Sequence, residues 1–143
     1  MSFASLEADA LALKESDTDG AESVAYRDAR AMSERARRAI GRCKSTPDGD
    51  TYIAKVSVFR WGDAVVVGAP GELYSVFQTE LRRRHPALTI VVVTLSNASA
   101  ELAYILPCEL CGSGVYQDDL MIARPGALER MIDAVSERLK AIV

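Results

Sequence analysis

Val65-Val66-Val67-Gly68-Ala69-Pro70-Gly71-Glu72, a helical run, and then Ile90-Val91-Val92-Val93-Thr94-Leu95-Ser96-Asn97 decide the fold of this chain. Both valine-rich runs predict buried strands, and the glycine-proline segment between Gly68 and Gly71 predicts a tight turn into a helix over 71–84. Strand, helix and strand make a βαβ unit, so the two strands are expected to be parallel. Their carboxyl ends then share one edge of the sheet, the edge where open α/β sheets bind ligands. Glu72, expected in the first turn of the helix, and the Asn97 loop should face one crevice there.

Working outward, Tyr52 to Trp61 alternates and is rich in β-branched and aromatic residues, which predicts a strand. Gly62-Asp63 turns it back into Ala64–Val67 as an antiparallel hairpin. The 71–84 helix directs Leu73, Val76, Phe77 and Leu81 toward the sheet. Arg82-Arg83-Arg84-His85 falls at its carboxyl end, where cations suit the helix dipole, and Pro86 stops it. His85, the one histidine, lies about 20 Å from Glu72 along such a helix and reads as a surface residue. Thr89 to Leu95 is apolar throughout, as a strand covered on both faces would be. Ser96 to Asp119 is a long connection, and such segments are often functional. A last helix, 127–142, begins near Pro125 and buries Leu128, Ile132, Val135, Leu139 and Ile142.

Toward the amino end, Ser5 to Lys14 carries a weak helical pattern. Asp17-Thr18-Asp19-Gly20 matches the opening of a calcium loop, but the remaining ligands are out of register, so a solvated linker is expected. Helix 22–44 has Ala25, Ala29, Met32, Ala36, Ala39 and Cys43 on one small-residue face and its arginines elsewhere. The fold class is therefore α/β: a small mixed sheet, an antiparallel hairpin plus a parallel βαβ unit, packed by helices 22–44, 71–84 and 127–142. Residues 1–143 are expected to form a single domain.

With 143 residues, 49% of them hydrophobic, the chain suits one ordinary core. A net charge of −3 gives no global reason to expect nucleic acid or an anionic membrane as partner. No apolar run approaches the ~20 residues of a transmembrane segment. Three cysteines do not make a secreted disulfide framework, and no signal peptide is evident. A soluble, cytoplasmic setting is the default expectation.

Cys108-Glu109-Leu110-Cys111 spells C-x-x-C, half a zinc site or a thiol redox pair in the right setting. A structural zinc site needs four ligands, and the sequence has no second C-x-x-C or histidine pair. Pro107 before and Gly112-Ser113-Gly114 after predict a loop. Phosphate-binding glycine loops, H-E-x-x-H and G-x-S-x-G are absent.

Gly62 through Tyr74, Leu81-Arg82, Asn97, Ala103-Tyr104-Ile105-Leu106-Pro107 and Gly114-Val115-Tyr116 together resemble the carboxyl-terminal part of the catalytic domain of the neutral/alkaline, non-lysosomal ceramidases and their bacterial relatives. The likeness spans Val56 to Tyr116, and the Pro70-Gly71-Glu72 turn is its firmest element. In that family two histidines, a glutamate and a tyrosine hold zinc, and a serine acts in amide hydrolysis. The resemblance assigns the glutamate ligand to Glu72 and the tyrosine ligand to Tyr104. It assigns neither histidine nor the serine, which belong to the part of the family's domain preceding this region, and His85 matches neither. The family's Tyr-Glu pair is Tyr116-Gln117 here, and the C-x-x-C is an added feature.

The resemblance implies the carboxyl-terminal subdomain of a larger ceramidase-like, zinc-dependent amide hydrolase, catalytically incomplete on its own. Zinc is then expected only if the missing upstream ligands are supplied, with a lipid amide as substrate. The expected partner is the upstream segment of the same protein or a second copy in a homo-oligomer. Two other readings stand beside it: a non-enzymatic interaction or assembly module retaining the scaffold, and a thiol redox or metal-binding domain using Cys108 and Cys111.

Overall fold

β-Branched runs flanked by turn residues become strands wherever a neighbour can complete their backbone hydrogen bonds. In the computed structural model of the chain residues 23–45, 51–96 and 102–142 are described, with residues 5, 8, 12 and 49. The chain divides into two compact units, 1–47 and 48–143.

The first unit contributes helix α1 (Val24–Ser45). Ser23 caps it, its hydroxyl accepting the Tyr26 N–H at 3.1 Å. Glu34 pairs with Arg30 and Arg38, each at 3.5 Å, on the exposed side. The buried positions are Tyr26 and Ser33, while Met32 is exposed. Of the expected small-residue face, Ala29, Ala36 and Ala39 are half-buried, whereas Ala25 is exposed along with Met32. The Cys43 side chain and the Asp17–Gly20 segment lie outside the described residues.

The second unit holds β1 (Ser57–Trp61), β2 (Ala64–Gly68), β3 (Glu72–Leu73), α2 (Val76–Arg84), β4 (Thr89–Val93), β5 (Tyr104–Ile105) and α3 (Ala127–Lys140). Single 3₁₀ turns stand at Cys108–Leu110 and Asp118–Leu120. The main sheet has the order β1-β2-β4. β1 and β2 are antiparallel across the Gly62-Asp63 turn, and β2 and β4 are parallel, as the βαβ reading requires. β3 and β5 form a second, two-stranded parallel ribbon. The fold class is the expected α/β with a small mixed sheet.

Register divides the main sheet into two faces. The rows Val58–Val67–Val92 and Arg60–Val65–Ile90 point one way. Val65, Val67 and Ile90 on that face are buried with Phe77 and Leu81 of α2 and Leu128, Ile132, Val135 and Leu139 of α3. The row Phe59–Val66–Val91 points the other way, with Trp61 and Val93 in the flanking rows. Phe59, Trp61, Val91 and Val93 are all exposed.

Four local expectations are corrected. The strand foreseen at 52–61 is regular only from Ser57. β2 ends at Gly68, and Ala69 then donates to the Val93 carbonyl instead, at 2.9 Å, so residues 52–56 have no strand opposite them. Tyr52, Ala54 and Val56 still pack against the core. The strand foreseen at 89–95 stops at Val93, because Leu95 turns with φ 58° and donates to the Gly71 carbonyl. It is also covered on one face rather than both. The third correction concerns 71–84, where the helix starts at Val76 and Glu72-Leu73 is strand. The fourth is α3, which starts at Ala127 as expected, after Gly126 with φ 83°, but ends at Lys140. Its buried stripe is the expected one through Leu139.

Candidate functional site

The site is made by the turn between β2 and β3. Gly71 takes φ 76°, a conformation that L side chains rarely adopt, and a Cβ there would sit 3.0 Å from the carbonyl oxygens of Leu102 and Ala103. That close approach lets the Glu72 N–H donate to the Ala103 carbonyl at 2.7 Å. The backbone hydrogen bond captures Glu72 into β3, which is why it leaves the helix it was expected to begin. Its carboxylate therefore does not complement a helix dipole.

Glu72 stands directly opposite Tyr104 in the parallel β3–β5 pair. Residues opposite in a ladder share a face of the pleat, so carboxylate and phenol emerge side by side. The Glu72 carboxylate lies beside the Tyr104 phenol, and as an acceptor for its neutral form it holds the phenol pKa above its ordinary value. Partial burial, the Glu72 charge and the nearby Tyr116 and Tyr74 add to the shift in that order. The Tyr116 ring meets the Tyr104 ring edge-on, with centroids 6.2 Å apart and planes at 70°. Glu72 itself is exposed and Tyr104 half-buried, so the pair faces solvent.

The remaining candidates fall elsewhere or outside the described residues. Asn97 is among the latter. His85 closes the carboxyl end of α2 and is half-buried rather than a free surface residue. Its Nε2 lies 2.8 Å from the hydroxyl of Ser136, which is buried on α3, and this contact joins the two helices. Cys108 is exposed and Cys111 half-buried, both as free thiols, in and beside the 3₁₀ turn that follows β5.

Two hard oxygens, one anionic and one able to lose a proton to a metal, suit a divalent cation. In such a site the metal would take the place of the phenol proton. Catalytic zinc ordinarily takes three protein ligands. Among the described residues no three His, Cys, Asp or Glu side chains gather around a point that could hold one. Glu72 and Tyr104 thus fit half of a ligand set. Alone, they make a carboxylate–phenol pair.

Sequence reasoning missed the ring contact of Tyr116 with Tyr104, although both residues lie in the stretches that carry the resemblance. It also missed Glu129, whose Oε1 accepts the Cys108 N–H at 2.8 Å and whose Oε2 is buried without a hydrogen-bond partner among the described residues. Nothing in the pattern of α3 marks that glutamate. Comparisons with protein-family models, curated proteins and solved structures find no match.

Proposed function

We propose that this chain is the carboxyl-terminal portion of a ceramidase-like, zinc-dependent amide hydrolase, catalytically incomplete on its own. The register pairing of Glu72 with Tyr104 carries the proposal. These are the two residues that the resemblance assigns as zinc ligands, and thirty-two positions separate them in the sequence. In a complete site, two histidines from the upstream segment would finish the coordination shell. Zinc, when bound, would polarise the scissile carbonyl or a water. What this chain contributes is a fixed pair of oxygens. Glu72 is anchored by its own N–H on Ala103, and Tyr104 is braced by the edge of Tyr116.

The uncovered sheet face supports the incompleteness. Phe59, Trp61, Val91 and Val93 are 52%, 77%, 43% and 45% exposed, and contiguous exposed apolar side chains of this size ordinarily have a partner. We assign that role to the upstream segment, which would cover the face and bring its histidines to the Glu72 edge. The same face favours a second reading, an assembly module that keeps the scaffold without the chemistry and pairs with another copy.

Metal analysis after dialysis, with turnover of a fluorogenic N-acyl amide, tests the proposal. The isolated chain should retain no stoichiometric zinc and cleave nothing. Joined to an upstream segment bearing two histidines and the serine motif, it should gain both properties, and Glu72→Ala should remove both. Zinc-dependent turnover by the isolated chain would overturn the claim of incompleteness. A joined chain that binds no zinc while the isolated one self-associates would favour the assembly reading.

A further inference from the structure

The loop leaving β5 carries two thiols that the hydrolase reading does not use. Pro107 is extended, with φ −63° and ψ 148°, and Cys108–Leu110 then makes one 3₁₀ turn. The Cys111 N–H closes that turn on the Cys108 carbonyl at 3.2 Å. A turn closed in this way keeps its first and fourth Cα atoms within about 7 Å. Disulfides span Cα separations of roughly 4.4–6.8 Å. Residues three apart in a 3₁₀ helix are also eclipsed. The φ of −69° at Cys111 sets its Cβ where a continued turn would set it, since φ fixes Cβ relative to the preceding backbone. Both Cβ atoms therefore leave the turn on the same side, from which side-chain rotation can bring the two sulfurs together.

The surroundings hold this shape without obstructing it. The Cys108 N–H is fixed by Glu129. Beyond Cys111, the Asp118 carboxylate accepts the Gly112 N–H at 2.8 Å and the Gly114 N–H at 3.4 Å. Gly112 and Gly114 take φ 81° and 75°, and a Cβ at either would meet open space. A small reagent can thus approach from solvent. Cys108 is exposed, while the Cys111 sulfur is half-buried, 3.6 Å from the Pro107 carbonyl oxygen and 3.9 Å from the Met121 sulfur.

We propose that Cys108 and Cys111 are a reversible dithiol–disulfide pair that exchanges with small-molecule disulfides, Cys108 attacking first and Cys111 resolving. The Cys108 thiolate attacks one sulfur of the reagent, forms a mixed disulfide and releases one reagent thiolate. The Cys111 thiolate then displaces the second reagent thiol from the Cys108 sulfur. Two protein thiols give up two hydrogen atoms in all, and the reagent disulfide leaves as two thiols. The order follows from exposure. It is reinforced by burial, which pushes the Cys111 thiol pKa up, with Cys108, Asp118 and Glu129 adding to the shift. The pairing does not depend on whether Glu72 and Tyr104 hold a metal.

The test is exchange of the intact, folded chain with glutathione disulfide, quenched with acid and mapped after trypsin. The peptide from His85 to Arg130, uncut at Arg124-Pro125, holds both thiols and no other cysteine. It should become lighter by two hydrogen atoms, lose its reactivity to an alkylating label, and recover both on addition of dithiothreitol. Cys111→Ser should stop at one glutathione adduct on Cys108. Cys108→Ser should slow adduct formation about tenfold or more, because the remaining thiol is half-buried. Closure of the wild-type mixed disulfide should also slow about tenfold when the turn is unfolded in urea. A wild-type chain that accumulates stable glutathione adducts, or that closes equally fast folded and unfolded, would overturn the proposal.

Discussion

The two faces of the three-stranded sheet come from alternate residues of the same strands, and both carry large apolar side chains, yet they differ in what covers them. Val65, Val67 and Ile90 are covered by α2 and α3 and belong to the core. Phe59, Trp61, Val91 and Val93 are equally apolar and lie open. Burial of a large aliphatic or aromatic side chain is worth ~1.5–3 kcal/mol relative to leaving it exposed, so the first face contributes at that scale, whereas on the second only the central Val66 side chain is buried. The contrast separates what stabilises this unit from what the unit offers to something else.

The largest effects should therefore come from the covered face. Leu81→Ala removes a fully buried side chain and should cost ~2–5 kcal/mol in urea unfolding. Phe59→Ser with Trp61→Ser, on the open face, should shift the isolated chain by less than ~0.5 kcal/mol each. If the open face is an interface, the double variant should instead abolish association measured by sedimentation. A loss of stability comparable to that of Leu81→Ala would show that the open face is internally packed, and would break the comparison.

Next in size is Gly71→Ala. A methyl group 3.0 Å from two carbonyl oxygens, on a backbone at φ 76°, should cost ~1–3 kcal/mol. The damage should fall on the β3–β5 ribbon. Beyond the loss of stability, the Tyr104 phenol should titrate closer to its ordinary value, because Glu72 would no longer stand opposite it. An unchanged phenol titration would mean that the Glu72–Tyr104 contact does not depend on the Gly71 turn.

Glu72→Gln sharpens the same point without moving the backbone. The carboxylate raises the Tyr104 pKa above 10.0, so the phenolate absorbance of this residue should appear at lower pH in the variant. The folded-state pKa is the higher one. The contribution to stability is thus complete below the unfolded value and disappears as pH rises through the folded one. Wild type and variant should converge in stability at strongly alkaline pH.

Much of this architecture is legible in the sequence for identifiable reasons. Val65–Val67 and Ile90–Val93 are β-branched runs bounded by glycine, proline and serine, so β2 and β4 and their parallel pairing follow from the length of the helix between them. The hairpin follows from Gly62-Asp63. What escapes is non-local. A two-residue parallel pairing such as Glu72-Leu73 with Tyr104-Ile105 has no periodicity of its own, and nothing near Glu72 says that Ala103 will accept its N–H. Glu72 was therefore expected to begin a helix. Equally, a valine run reads the same whether one face or both are covered, so the exposure of Val91 and Val93 becomes visible only in the folded chain. Tyr104 entered through a resemblance, and register then put it beside Glu72.

The smallest expected effect lies at the far edge of the covered face, where α2 meets α3. Glu80 accepts hydrogen bonds from Arg83 at 2.7 Å through two nitrogens and from Arg84 at 2.8 Å. Arg84 also reaches Asp133 of α3 at 2.7 Å. The hydrogen bonds from Arg83 and then Arg84 hold the Glu80 carboxyl well below its ordinary range, at about 2. A folded-state pKa below the unfolded one stabilises the fold above the unfolded value of 4.5. That contribution is lost as pH falls through about 2. Glu80→Gln should accordingly lower the urea midpoint slightly near neutrality and make no difference at the acid end. The pair is solvent-exposed, so salt should shrink even the neutral-pH difference. A Glu80→Gln variant whose deficit persists unchanged in acid would place the role of Glu80 in packing between the helices rather than in its charge.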